Sequence, residues 1–367
     1  MTFRPTRARL RGVTYAAAFG LLTTTMLAAP AAALPGCDGI ALDADDWNDE
    51  LWCAADATEG DQLITIGASF TIPGDALNLY GGTQPLTIEG AEGIEVTGPR
   101  TLTTETPFAG TFLTVVGESL GGEIGPDVAA PGAEPDVTVR DLTIKRFQAT
   151  AAIQHLSTGA LTLDGARVAN SGAGGVGFGD EGLLSGGIVS TGPVTVVDSS
   201  LVNNTGLIGG AISTYIAALL GEMGGEGEGA PALDTPITIT GDSVLRGNTA
   251  LVGGAIASFG GLDVDGTRLT ENTASLGGAI ATFDAHATIT DARFTGNATT
   301  ASEFPGDTAG GAIAFGGELT VEGSTFRGNS SFGDGGAIAS GEGPGELAPA
   351  LTVTDSVFAE NGTEGDG

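Results

Sequence analysis

The chain has 367 residues, 13 of them Lys or Arg against 45 Asp or Glu, for a formal net charge of −32. That imbalance argues against nucleic acid and anionic lipid as partners, because the long-range field repels both. Hydrophobic residues make up 41%, aromatics only 5%, and the 63 glycines follow no collagen triplet. The mixture is too apolar for a disordered chain and suits many short strands joined by tight turns.

Residues 1–33 read as a secretory signal peptide. Arg4, Arg7, Arg9 and Arg11 form a basic start, Val13 to Leu27 an apolar stretch, and Ala28 to Ala33 offer small-residue cleavage sites. Removing these four arginines from the 13 basic residues leaves nine against 45 acids, a formal charge of −36. No later stretch is long and apolar enough to span a bilayer. The expected location is therefore secreted or cell-surface.

Residues 34–60 read as an N-terminal cap. Residues 43–57 are predicted helical, because Trp47, Leu51, Ala54 and Ala55 share one face and acidic residues occupy the first turn. Such a helix would cover the open end of whatever follows. Cys37 and Cys53 are the two cysteines. An oxidising compartment allows them to pair as a structural disulfide holding this segment.

From residue 61 to 367 a repeat dominates. Gly-Gly-Ala-Ile recurs at 209–212, 253–256, 277–280, 310–313 and 335–338. An apolar-x-x-Asn element ends at Asn204, Asn248, Asn272, Asn297, Asn329 and Asn361. A period-2 strand precedes these apolar residues by a recurring step, as in Leu262 and Val264 before Leu269, or Leu319 and Val321 before Phe326, and the copy at Ile237, Ile239 and Leu245 is one residue longer. Alternation places these side chains on one face, the interior. No single rung can bury that face alone, so stacking like on like is required. The fold class is all-β, a right-handed single-stranded parallel β-helix with a short N-terminal capping helix. The six asparagines are predicted to stack as an internal hydrogen-bonded ladder at bends that Asn tolerates in the left-handed region. Asn297, Asn329 and Asn361 also begin N-x-S/T sequons, but a buried bend cannot carry a glycan. The repeat stops mid-rung after Asn361, so the solenoid is expected to be incomplete at its C-terminal end.

The pairing of Gly-Gly-Ala-Ile with Phe/Leu-x-x-Asn resembles the chlamydial-type polymorphic outer-membrane-protein repeat, best over residues 194–361. The resemblance implies a surface-exposed β-helical stalk, often an adhesin or an autotransporter passenger. The chain differs from that family in showing no C-terminal membrane barrel.

Chemistry-bearing motifs are sparse. Parallel β-helices include polysaccharide lyases and hydrolases, but Lys145, Arg146 and His155 are the one local cationic group, and no paired-carboxylate or zinc spacing stands out. No catalytic residue, metal ligand or cofactor is assigned. Calcium is the weak exception, because Asp198, Asp242, Asp291 and Asp355 occupy similar turns and would repel if stacked without a cation. If the repeat isoleucines point inward, then Ala255, Ala257, Ala279, Ala281, Ala312, Ala314, Ala337 and Ala339 are predicted to form an outward strip of small side chains, a candidate contact surface. Insertions at 215–236, 298–309 and 341–349 mark the variable corners. The expected function is an interaction scaffold for a cell-surface or matrix polymer or protein, with a polysaccharide-active enzyme and a structural stalk as alternatives.

Overall fold

A computed structural model describes residues 37–91, 93–99, 101, 110–117, 134–148, 151–172, 185–214, 235–300, 309–341 and 349–363. Residues 1–33, expected to be a signal segment, and most of the three insertions lie outside the described residues.

One rung shows how the sequence makes a coil. Leu262–Asp265 is a strand, Gly266 turns the chain with φ at +66°, and Arg268–Thr270 forms the second strand. A bend at Asn272 leads to the short strand Thr273–Ala274, and the Gly277-Gly278 corner leads into Ile280–Thr290. That long strand closes one rung and opens the next. Within the coil, strands adjacent in sequence therefore do not pair, the one successive pair among the described residues being Ile40–Ala41 with Gln62–Ile66 on either side of the helix. Each strand pairs instead with its counterpart one rung away, and among the described residues every strand pairing is parallel. The second face is a ten-stranded sheet with one strand per rung, from Phe70–Thr71 to Val357–Ala359, so the described coil has ten rungs.

Register decides what fills the middle. On the first face Ile64, Ile88, Val139, Leu163, Val196, Ile239, Val264, Ile289, Val321 and Val353 are successive partners. The second face contributes Val168, Leu201, Leu245, Leu269, Phe294, Phe326 and Phe358. The rings of Phe294, Phe326 and Phe358 stack at 4.6 and 4.7 Å. The third face aligns Ile153, Ile188, Ile212, Ile256, Ile280, Ile313 and Ile338. Nearly all of these are buried, and each interior aliphatic side chain contributes on the order of 1.5–3 kcal/mol. The repeat isoleucines thus lie along one axis.

Helix α1 (Ala44–Asp56) starts at Asp43, whose carboxylate accepts the N–H groups of Asp45 and Asp46. Its buried face is Trp47, Leu51 and Ala54, joined by Glu50, whose carboxylate accepts the N–H groups of Asp38 and Gly39. Trp47 stacks on Phe112 at 4.9 Å and donates its indole N–H to the Phe112 carbonyl at 3.0 Å. The helix packs on strands Ile40–Ala41, Gln62–Ile66 and Leu79–Tyr80 at the beginning of the coil. Cys37 and Cys53 are disulfide-bonded, their Cα atoms 5.8 Å apart.

The paired glycines have two different duties. Gly277 has φ at +63°, a conformation costly for other residues. Gly278 lies so close to the next rung that a Cβ would sit 2.1 Å from the Gly311 carbonyl oxygen. Gly278→Ala is therefore expected to destabilise by about 3 kcal/mol or more, through overpacking against backbone that cannot yield. Gly328→Ala, at φ +61° with open space around it, should cost only about 1–2 kcal/mol. Denaturant melts of the two variants check the order, and equal losses would refute the close-approach argument.

Candidate interaction faces

The ladder asparagines satisfy one another. The Oδ1 of Asn272 accepts both the backbone N–H and the side-chain Nδ2–H of Asn248, each at 3.0 Å. Nδ2 of Asn272 donates in turn to the Leu245 carbonyl at 2.9 Å and to Oδ1 of Asn297 at 2.9 Å. The same pattern links Asn204 to Asn248, Asn297 to Asn329, and Asn329 to Asn361. Ser171 continues the column one rung earlier, its N–H donating to Asn204 Oδ1. Asn297 and Asn329 are buried, so a glycan at these sequons would have to break the column.

The left-handed bend falls one residue earlier than expected. Asn203, Gly247, Glu271, Gly296, Gly328 and Glu360 carry φ between +54° and +64°, while the ladder asparagines do not. An exposed residue takes the strained backbone, and the following Asn turns inward. The corner between the first and second faces works alike, with Asp141, Gly165, Asp198, Gly241, Gly266, Asp291, Gly323 and Asp355 at positive φ. A column of small hydroxyls follows it, which the sequence reading missed. Ser199 Oγ accepts from Ala166 N–H at 2.9 Å, and Ser243 Oγ from Ser199 N–H at 3.2 Å. Ser324 and Ser356 repeat the link at 3.1 Å. The available signal was a Ser, Thr or Ala directly after six of these eight turn residues.

This register also revises the acidic row. Asp198 and Asp291 share a column, but Gly241 and Gly266 separate them, and Gly323 separates Asp291 from Asp355. Asp242 is the extra residue of its rung, and its N–H donates to Asp198 Oδ1 at 2.9 Å. A Cβ on Gly241 would stand 2.3 Å from that same Oδ1. Asp141, Asp198 and Asp291 each lean over a glycine of the next rung, and no two successive rungs stack carboxylates in this column.

The alanine strip is not a surface. Ala255, Ala257, Ala279, Ala281, Ala312, Ala314, Ala337 and Ala339 are all at most 7% exposed. The reason differs between the two sets. Ala279 O accepts the N–H groups of both Ala255 and Ile256, and Ala312 O accepts those of Ala279 and Ile280. One carbonyl serving two successive amides breaks the alternation, so Ala255, Ala279, Ala312 and Ala337 join the core beside the isoleucines. Ala257, Ala281, Ala314 and Ala339 lie on strands in the phase opposite to the isoleucines, yet the chain itself covers them.

The Lys145, Arg146 and His155 group is likewise dispersed. Lys145 ends a second-face strand and forms an ion pair with Glu95. Arg146 follows it at φ +64°. His155 belongs to the third face and is fully buried. Ser190 Oγ donates to the Gly192 carbonyl, so it accepts from His155 Nδ1–H at 2.8 Å. Nε2 has no hydrogen-bond partner among the described residues. Burial pushes the imidazole down to about 4, against the opposing pull of Glu134 and Asp136.

Outward positions are as regular as inward ones. Thr138, Thr162, Thr195, Thr238, Asp263, Thr288, Thr320 and Thr352 form one first-face column. On the second face, Arg268 and Arg293 are direct partners, and Arg246, Thr270, Thr295 and Arg327 form the neighbouring column. Among the described residues, no helix is long and apolar enough to cross a bilayer, and no three His, Cys, Asp or Glu side chains converge as metal ligands.

Comparison with protein-family models, curated proteins and solved structures yields no match to this chain.

Two consequences can be measured. Asn272→Ala leaves the Asn248 N–H groups without their acceptor in the core, and an expected loss of about 2–4 kcal/mol in a denaturant melt checks it. Asn203→Ala, at an exposed bend, should cost far less. His155 is neutral when folded, with its pKa below the unfolded value near 6.5. Its stabilising contribution is whole above that value and is lost as pH falls toward 4. Between pH 7 and 4.5 the wild type should lose about 2.5 kcal/mol relative to His155→Leu. Parallel pH dependences of the two melts would contradict this.

Proposed function

We propose that the chain is an exported interaction scaffold, surface-exposed or secreted, that holds flat outward faces against a cell-surface or matrix polymer or protein. One observation carries the reading: ten rungs in strict register turn the chain into a rod whose outward side chains recur at the rung spacing, about 4.8 Å. The Asn and Ser columns and the buried His155 are engaged within the coil, whereas the Thr and Arg columns face outward. Repeating faces suit a repeating or extended partner better than a single small molecule. The resemblance of the paired repeat elements to the polymorphic outer-membrane-protein repeat supports the same reading, and the basic, apolar and alanine-rich start of the chain supports export.

The test incubates the purified chain, from residue 34, with whole cells, extracellular-matrix preparations, and acidic and neutral polysaccharides. Bound protein and soluble reducing ends or unsaturated products are measured together. Retention without product formation is the expected result. Product release that scales with protein would replace the scaffold reading with that of a polysaccharide-active enzyme. Absence of retention on every surface would overturn it as well.

A further inference from the structure

The net charge hides a strong sorting. Nine Lys or Arg residues lie beyond residue 33. Seven of them sit on or directly beside the ten-stranded second face: Lys145, Arg146, Arg167, Arg246, Arg268, Arg293 and Arg327. In sequence they are scattered among acids. Register gathers four onto four consecutive rungs, with Arg268 and Arg293 side by side and Arg246 and Arg327 in the adjoining column. All four are exposed.

Like charges directly opposite each other on adjacent strands are unfavourable. The rim relieves part of this. Arg246 pairs with Glu271 at 2.9 Å, Arg327 with Glu360 at 3.0 Å, and Arg268 with Asp242 at 3.6 Å. Arg293 has no ion-pair partner among the described residues. Exposed pairs of this kind are worth roughly 0–1 kcal/mol each, so an incoming carboxylate can take over a guanidinium at small cost. A planar guanidinium grips a carboxylate through two parallel hydrogen bonds.

We propose that this arginine patch binds a linear acidic polysaccharide of the polyuronate class, an inference that rests on the scaffold reading above. Arg268 and Arg293 engage carboxylates along the polymer, and Arg246 and Arg327 flank them. Thr270, Thr295 and Thr325 present hydroxyls between the arginines, suited to the neutral hydroxyls of a sugar chain. Nucleic acid fits less well. Long-range repulsion by an acidic chain acts on any polyanion, but the outward second-face positions of these four rungs carry no aromatic ring on which a base could stack. The overall negative charge confines the attraction to short range and makes it sensitive to salt.

The experiment uses the chain from residue 34 in affinity electrophoresis through gels containing sodium polygalacturonate, a neutral dextran, or single-stranded DNA at low ionic strength. Three proteins are compared: wild type, the double variant Arg268→Gln/Arg293→Gln, and the first-face control Arg140→Gln. Retardation of the wild type by polygalacturonate alone is expected, weakened roughly tenfold in the double variant and unchanged in the control. Circular dichroism and melting of each variant establish that it is folded. Retention of full binding by the folded double variant would overturn the assignment, as would equal or stronger binding to DNA or dextran. If polygalacturonate fails to retard the wild type while cells or matrix still retain it, the arginine-patch proposal falls and the scaffold reading stands. If nothing retains the chain, both fall.

Discussion

Parallel stacking in register, at one strand spacing per turn, is the constraint on which the molecule depends. Each rung must place the same chemistry at the same point as its neighbours, because a polar group turned inward can reach only the rung before or after it. Asn272 illustrates the closure: its oxygen serves Asn248, and its nitrogen serves Leu245 and Asn297. Remove its side chain and both N–H groups of Asn248 are left without an acceptor in a dry interior. The aliphatic columns supply the gross stabilisation, and the asparagine column fixes the register in which they can supply it.

The corners obey the same rule by different means. Where two turns approach most closely, only glycine fits, as at Gly278 beneath the Gly311 carbonyl. Where the chain must bend with positive φ, an Asp, Asn, Glu or Gly takes the bend, and the residue that turns inward comes after it, an Asn at the ladder corner and a Ser at Ser199 and Ser324. Strain and hydrogen bonding are thus assigned to adjacent residues rather than to one. The alternation of Asp and Gly in the first corner column has a steric cause as well, since the Asp198 carboxylate occupies the space that a side chain on Gly241 would need.

These inner demands leave the outer faces free to vary, and that freedom bears on function. Outward positions inherit the rung spacing without inheriting a required residue type. The first face fills its central column largely with threonine, while the second face collects most of the positive charge of an acidic chain. A polymer partner that meets such a rod encounters a periodic surface whose local charge differs from its mean. Helix α1 packs on the first strands, so the initial rung buries its apolar edge within the chain.

Sequence alone determined the repeat, the parallel coil, the inward isoleucine and leucine columns, the asparagine ladder, the capping helix and the cysteine pair. Those features are local or strictly periodic, so spacing and side-chain type suffice to read them. Tertiary structure alone decided what depends on a neighbour one rung away. The shared carbonyls of Ala279 and Ala312 turned a predicted outward strip into core, because a bifurcated hydrogen bond ends the two-residue alternation. Unequal insertions between rungs meant that Arg246, Arg268, Arg293 and Arg327 had no readable period, and only pairing across strands brought them onto one face. A one-dimensional pattern records which side of a strand a residue takes when the strand is regular. It does not record where the chain departs from regularity, or which distant residues a stacked turn places side by side.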